Sequence, residues 1–196
     1  MNFTELLTEV FDLTKRPDLT VRTSQAVRAA TLKMHLIDYF PKDLVESGVQ
    51  FASAEFFQSF DYKNVFPLWR SIKYFRKYDI VGGSAGKKLD VITPAGIFDS
   101  YGIEKSDVMY QAGSVFNIKM STQEQYFLCG FYQYPDCTAD GYTSWIAVDQ
   151  PWAIIYEAAK SIMKTTGRDE DAAAMETDMR QQIAELTINN ILAEGE

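Results

Sequence analysis

Apolar residues recur every three to four positions at the start of the chain, which is the period of an amphipathic helix. The repeat is followed by Phe3, Leu6, Leu7, Val10 and Phe11. Asn2 and Glu5 can form a capping box in front of it. We expect this first helix to stop before Pro17, because a proline disfavours the helical conformation in the residue that precedes it.

A second helix is predicted from about Leu19 to Tyr39, and it carries apolar residues on two faces. One face holds Val27, Ala30, Met34 and Ile37. The other holds Val21, Leu32 and Tyr39, with His35 beside them. A simple surface helix has one apolar stripe. Two stripes predict packing on both sides, inside a bundle or against a neighbouring subunit, so the second set is the candidate inter-subunit interface.

Helical periodicity returns near the C-terminus. Asp149 is a suitable N-cap and Pro151 fits the first turn of a third helix. Gly167 can end that helix in the left-handed conformation, and Asp169 can cap a fourth that runs to about Ala193. The apolar stripes of the four helices can be buried by packing the two terminal pairs against each other, which predicts a four-helix bundle.

Between these helices the pattern changes to short aromatic and β-branched runs separated by Gly, Pro, Asp and Asn. The predicted strands are 49–57, 68–78, 88–92, 108–119 and 125–134. No helix of ten residues or more separates them, so antiparallel pairing is expected. The fold class is therefore α+β: a four-helix bundle with an antiparallel β-rich insertion. Residues 1–42 and 145–196 form the helical, ring-forming domain, and 43–144 form the inserted domain.

The amino-acid composition limits the kinds of binding and catalytic site that this chain can form. The 196 residues carry 19 basic and 27 acidic side chains, a net charge of −8, which disfavours tight binding to nucleic acid phosphates. One histidine and two cysteines, spread from His35 to Cys137, do not make a zinc site. No run of about 18 apolar residues and no basic leader are present, so we expect an intracellular, soluble, reduced protein. No cofactor, metal or catalytic set is predicted.

Several short features have two interpretations. The loop GGSAGKK at 82–88 lacks the first glycine and the Ser or Thr of a phosphate-binding loop and is interpreted as a hairpin loop. His35 has no nucleophile or carboxylate that the sequence can place beside it. The basic residues of one predicted strand favour a solvated edge strand, with contact to passing DNA or an acidic partner as the alternative. These residues are Arg70, Lys73, Arg76 and Lys77.

The last helical turn holds Ile188, Ile191 and Leu192 off the main apolar stripe of its helix. These residues have no obvious partner within one subunit. A frayed helix end and an interaction site are both open, because exposed apolar patches often mark interfaces.

Three stretches in order along the chain resemble the head-to-tail adaptor proteins of tailed phages, also called head completion or connector proteins. The first is LTKRPDLTVRTSQAVRAATLKMHLIDYFPKDL at 13–44. The second joins LWRSIKYFRKYD at 68–79 to IFDSYGIEKSDVMYQAGSVFNIK at 97–119. The third joins FYQYPD at 131–136 to the segment at 142–186 that begins YTSWIAVDQPWAIIYEAAK.

The resemblance implies a structural virion protein without catalysis. Such proteins form a ring, commonly of twelve copies, under the portal at the head–tail junction; the ring extends the DNA channel and seats a tail tube or nozzle protein. The ring assembles in the host cytoplasm, lets double-stranded DNA pass without specific binding and contacts no membrane. The resemblance implies that the C-terminal segment often reaches toward the portal, so we expect the apolar residues at its end to form the portal interface: Ile188, Ile191 and Leu192. The candidate channel or partner contacts are Arg70, Lys73, Arg76 and Lys77.

Two other classes of function remain open from the residues alone. One is a monomeric binding module that uses the β-rich domain as a platform for a ligand or a protein. The other is an enzyme, which would need a polar catalytic set that the sequence does not show.

Overall fold

In the computed structural model the chain divides into two compact units, Met1–Asp43 with Tyr134–Glu196, and Leu44–Gln133. We call them the helical unit and the sheet unit. The residues that the structure describes are 1–80, 82–98, 102–137, 142 and 144–194, the last four of these by their backbone alone.

Five of the six described α-helices belong to the helical unit, and a sixth, short helix belongs to the sheet unit. Their bounds are α1 Phe3–Thr14, α2 Thr20–Leu36, α3 Tyr62–Val65, α4 Trp145–Asp149, α5 Pro151–Thr165 and α6 Asp169–Glu194. Short 3-10 turns at Pro17–Leu19, Pro41–Asp43 and Pro94–Ile97 complete the helical elements.

Helix α5 is the centre of the helical unit, and α1, α2 and α6 all pack against it. Its surface is made of small and branched apolar residues that other helices can pack against. Ala153, Ile155 and Ala159 are among them, and all three are fully buried. One buried ion pair interrupts this surface. Glu157 accepts hydrogen bonds from Lys160 at 2.6 Å and from Lys33 of α2 at 2.7 Å, which ties α2 to α5.

Several predicted helix ends are confirmed. Asn2 and Glu5 form the reciprocal capping box of α1, and Gly167 adopts a left-handed conformation, with φ of 73°, after α5. The predicted cap of α5 is wrong, because Asp149 ends the short helix α4 and Gln150 takes the cap position without a side-chain hydrogen bond. Asp169 is the first residue of α6.

The sheet unit contains six described strands in one mixed sheet. Their bounds are β1 Leu44–Asp61, β2 Trp69–Asp79, β3 Ser84–Lys88, β4 Asp90–Ile92, β5 Val108–Ala112 and β6 Val115–Gln133. Strand β6 is the longest and the most central. It pairs antiparallel with β1 along most of its length, with β2 through its second half and with β5 through its first.

Aromatic side chains make up half of the buried residues in the sheet unit's core. Phe75, Phe116 and Phe127 are at most 1% exposed, and rings from β1 pack onto them. Gly130 on β6 lies so close to the ring of Tyr74 that a Cβ atom there would come within 2.4 Å of it. The glycine at this position therefore lets an aromatic ring lie directly over the strand.

The predicted fold class is wrong in its architecture, although the chain is α+β. The helices do not form two pairs around an antiparallel insertion: two precede the strands, α3 lies among them and three follow. Four of the six strands already lie in the N-terminal half of the chain, and the sheet is mixed because β4 and β5 run parallel. The described part of the connection between these two strands contains the 3-10 turn Pro94–Ile97 and no α-helix.

The strand predictions contain several local errors. The predicted break at 120–124 is absent, because β6 runs without interruption from Val115 to Gln133, and the predicted strand 88–92 is divided between β3 and β4 at Leu89. The run 108–119 is two strands, because Gly113, with φ of 64°, turns the chain between β5 and β6. The segment 82–88 is more than a loop, since Ser84–Lys88 forms the edge strand β3 against β2. Glycine and lysine disfavour a strand by propensity, and pairing with β2 overrides that preference here.

Candidate assembly surface of the helical unit

Helix α2 carries an exposed stripe that runs its whole length. Its members are spaced four, four, three and four residues apart: Val21, Gln25, Ala29, Leu32 and Leu36. Val21 is 71% exposed and Leu36 is 52% exposed, whereas Leu32 is half-buried. Tyr39, just beyond the helix, is 48% exposed. Val21, Leu32 and Tyr39 are thus accessible in one copy of the chain, and their contact with a second copy stays a prediction.

His35 does not belong to this surface, which corrects its assignment to the inter-subunit interface. It is 1% exposed. Its Nδ1 lies 2.8 and 2.9 Å from the two carboxylate oxygens of Asp43, and its Nε2 lies 2.7 Å from Ser144 Oγ. The indole Nε1 of Trp145 donates to the same carboxylate at 2.7 Å. Ser144 is 109 positions from His35 along the chain, so no sequence spacing could have indicated this contact.

The order Asp43–His35–Ser144 is the connectivity of a nucleophilic triad. The surroundings of the hydroxyl oppose that role. Ser144 is 4% exposed, and its Oγ caps α4 by accepting from the backbone N–H of Ile146 at 3.2 Å. A substrate carbonyl must come within about 3 Å of the nucleophile, which a buried capping hydroxyl does not allow. We therefore interpret the three residues as a clamp that joins the end of α2, the turn at Asp43 and the start of α4.

A cavity of about 390 Å³ lies beside this clamp, entirely within the helical unit. Its lining comes from the segment after α2, from α4 with Gln150, and from the last turns of α6: Phe40, Pro41, Lys42, Trp145, Asp149, Gln150, Leu186, Asn189 and Asn190. We call it the α4–α6 pocket. Its volume lies within the range of small-ligand sites. No pattern in the sequence indicates this pocket, because its walls come from three segments far apart in the chain.

Asn190 is the least accessible polar residue in the wall of the α4–α6 pocket. It is 6% exposed, and its Nδ2 donates to Asp38 Oδ2 at 2.9 Å. Its Oδ1 has no hydrogen-bond donor within the described part of the chain. A buried acceptor without a donor costs free energy, about 1–3 kcal/mol for a typical group.

The predicted portal residues lie at the end of α6. Ile188 is 57% exposed. The side chains of Ile191 and Leu192 fall outside the described residues. The contact of all three with a portal stays a prediction.

The basic residues predicted as channel or partner contacts lie on β2, and aromatic rings accompany them. The guanidinium carbon of Arg76 lies 4.4 Å from the centre of the Tyr74 ring, and Lys73 Nζ lies 5.6 Å from that of Tyr132. Arg70 is half-buried and lines a second cavity of about 360 Å³. These three side chains are at least partly accessible.

Lys77, the fourth basic residue of β2, is engaged within the sheet unit, and its contact with a channel or a partner stays a prediction. Its Nζ lies 3.1 Å from Asp107 and donates to Thr122 at 2.7 Å. Burial raises the pKa of Asp107, but hydrogen bonds from Ser121, Lys77 and Lys87 outweigh it and hold that pKa well below the usual range of a carboxyl. The cluster joins β2, β3 and β6 through the carboxylate of Asp107, the residue just before β5.

The two units differ in charge. The helical unit holds 10 basic and 18 acidic side chains, and the sheet unit holds nine of each. The helical unit therefore carries the whole net charge of −8. An unbalanced charge of this size produces a field that repels other polyanions.

Among the described residues, none of the helices combines the length and the apolar character that crossing a bilayer requires. The same residues contain no group of three or more His, Cys, Asp or Glu side chains placed to hold a metal ion. No protein-family model matches the chain, and no curated protein matches it at a significant level.

Proposed function

We propose that this chain is a structural head-to-tail adaptor of a tailed phage, which forms a ring under the portal, extends the DNA channel and seats the tail tube or nozzle protein. The single observation that carries the proposal is the accessible apolar surface of the helical unit. Val21, Leu36, Tyr39 and Ile188 are each about half exposed or more. Large exposed apolar side chains at several sites of one small unit are typical of a protein that binds other subunits through them.

Charge supports the same function. Copies arranged in a ring with helical units lining the channel would present a concentrated negative surface to DNA. Phosphates are repelled by such a surface, whereas a basic surface would hold them by releasing counterions. The virion then gains a channel that DNA crosses without specific binding. The twelvefold number and the location at the head–tail junction rest on the resemblance alone.

The runner-up is a monomeric binding module that uses the sheet unit as a platform. The observation that favours it is the second cavity, of about 360 Å³, which combines the aromatic residues Tyr62 and Trp69 with Arg70 and Gln111. An aromatic floor with one guanidinium suits a flat or anionic ligand.

The deciding experiment mixes the full chain with purified portal rings and images the product by electron microscopy. An adaptor adds a ring of density whose symmetry matches that of the portal. Bare portal rings at saturating concentrations of the chain, together with a monomer in light scattering, would overturn the adaptor and favour the binding module.

A further inference from the structure

The start of α2 is an exposed apolar and basic knob, made of Val21 and Arg22. Val21 is 71% exposed, the most of any large apolar residue in the described part of the chain. Arg22 beside it is exposed and forms no ion pair with any described residue. A valine and an unpaired guanidinium on consecutive positions of a rigid helix make a compact feature that a partner can recognise.

The α4–α6 pocket has the complementary character. The rings of Phe40 and Trp145 and the side chain of Leu186 give it apolar walls. One acidic residue, Asp149, lines the pocket, and a second, Glu185, is hydrogen-bonded to the lining residue Gln150. Asp149 is paired with Lys42. Glu185 is exposed and, among the described residues, accepts hydrogen bonds only from the neutral side chains of Gln150, at 2.9 Å, and Gln181. The pocket therefore suits an apolar side chain that arrives with a positive charge next to it.

A second observation points to an occupant. The Oδ1 atom of Asn190, in the pocket wall, is buried and lacks a donor among the described residues. Buried polar atoms are nearly always hydrogen-bonded, so an unpaired one calls for an explanation. Because this Oδ1 is shielded from solvent in a single copy, an arginine, which brings five N–H donors in one planar group, can supply the missing bond when docking shifts the pocket wall.

We propose that Val21 and Arg22 of one copy of this chain dock in the α4–α6 pocket of a second copy. Arg22 faces Glu185 of that copy, and Val21 covers the apolar walls. Val21 and Leu36 lie about 22 Å apart along the axis of α2, and the pocket residue Phe40 follows that second end, so the knob and the pocket lie at opposite ends of α2. Each copy can then use both at once, and a heterologous contact of this kind produces a closed ring or a filament.

The inference rests on the proposed function, because it names the surface through which the ring would close. The contact also predicts how reversing the charge of Arg22 or of Glu185 changes the association of the copies. Reversing either partner alone places like charges together. Reversing both restores the attraction.

The test uses R22E and E185K in the full-length chain, with association measured by sedimentation velocity over the widest concentration range that solubility allows. Each variant alone should associate about tenfold or more weakly than the wild type, because like charges face each other at every contact. An equimolar mixture should recover association. In the mixture the two reversed side chains meet each other at one contact, and the unchanged Arg22 and Glu185 meet at the next. Charge-matched controls, K88E on the sheet unit and D178K on α6, should associate like the wild type.

Recovery in the mixture also shows that both variants fold. The inference is overturned if the wild type stays monomeric, if either variant associates like the wild type, or if the mixture does not recover. Failure of the adaptor function looks different. If copies of the chain associate as the charge reversals predict but do not bind portal rings, the adaptor function is refuted and the contact between copies is supported. If the chain binds portal rings but R22E and E185K associate like the wild type, the contact is refuted and the adaptor function is supported.

Discussion

The clamp formed by His35, Asp43 and Ser144 provides the most direct test of the helical unit. Substitution of His35 by alanine removes one hydrogen-bond partner of the Asp43 carboxylate and one of the Ser144 hydroxyl, and both of these residues are 4% exposed. Loss of one member of a buried pair costs about 3–5 kcal/mol, because the remaining charge stays away from water. We expect H35A to lower the free energy of unfolding by at least about 3 kcal/mol.

A second variant separates the two bonds of the clamp. In H35N the amide Nδ2 stands close to the place of Nδ1 and can still donate to Asp43, whereas nothing replaces Nε2 opposite Ser144. H35N should therefore lose about half as much stability as H35A. The matched control is Gln25→Ala, an exposed change on the same helix that should stay within about 0.5 kcal/mol of the wild type.

The measurement is urea unfolding followed by tryptophan fluorescence and circular dichroism. Trp145 and Trp152 report on the helical unit, and Trp69 reports on the sheet unit. A loss below about 1 kcal/mol in H35A, the size of an ordinary surface change, would refute the interpretation of these residues as a clamp. Equal losses in H35A and H35N would show that the bond to Asp43 contributes nothing.

Three further predictions concern other parts of the molecule. Gly130→Ala should cost about 1–3 kcal/mol in chemical unfolding, because its Cβ collides with Tyr74, whereas Gly48→Ala on β1, where nothing lies within 4 Å, should be tolerated. The Asp107 carboxyl has a lowered pKa in the folded state, so its stabilising effect is present above about pH 4 and is lost as the pH falls further. The thermal stability of Asp107→Asn should therefore depend less on pH below about pH 4 than that of the wild type. Ile188→Glu should abolish binding to portal rings in co-sedimentation and leave circular dichroism unchanged, and unchanged binding would remove Ile188 from the portal interface.

Local signals in the sequence predicted the helix ends more reliably than the architecture. The capping box at Asn2 and the left-handed Gly167 depend on neighbouring residues, and both are confirmed. The cap at Asp149 is wrong because α4, a helix of five residues, has no periodicity to detect. The parallel pair β4 and β5 was missed for a related reason, since three residues of β4 carry no register information.

The sequence by itself determined the α+β class, the amphipathic ends of the chain, the aromatic composition of its middle and the excess of acid, because periodicity, turn chemistry and charge are properties of neighbouring residues. Only the tertiary structure decided that His35 is buried against Asp43 and Ser144 rather than exposed on a surface, and that α4, α6 and the turn after α2 enclose a pocket. These features depend on residues far apart in the chain, which packing brings together and no local pattern encodes.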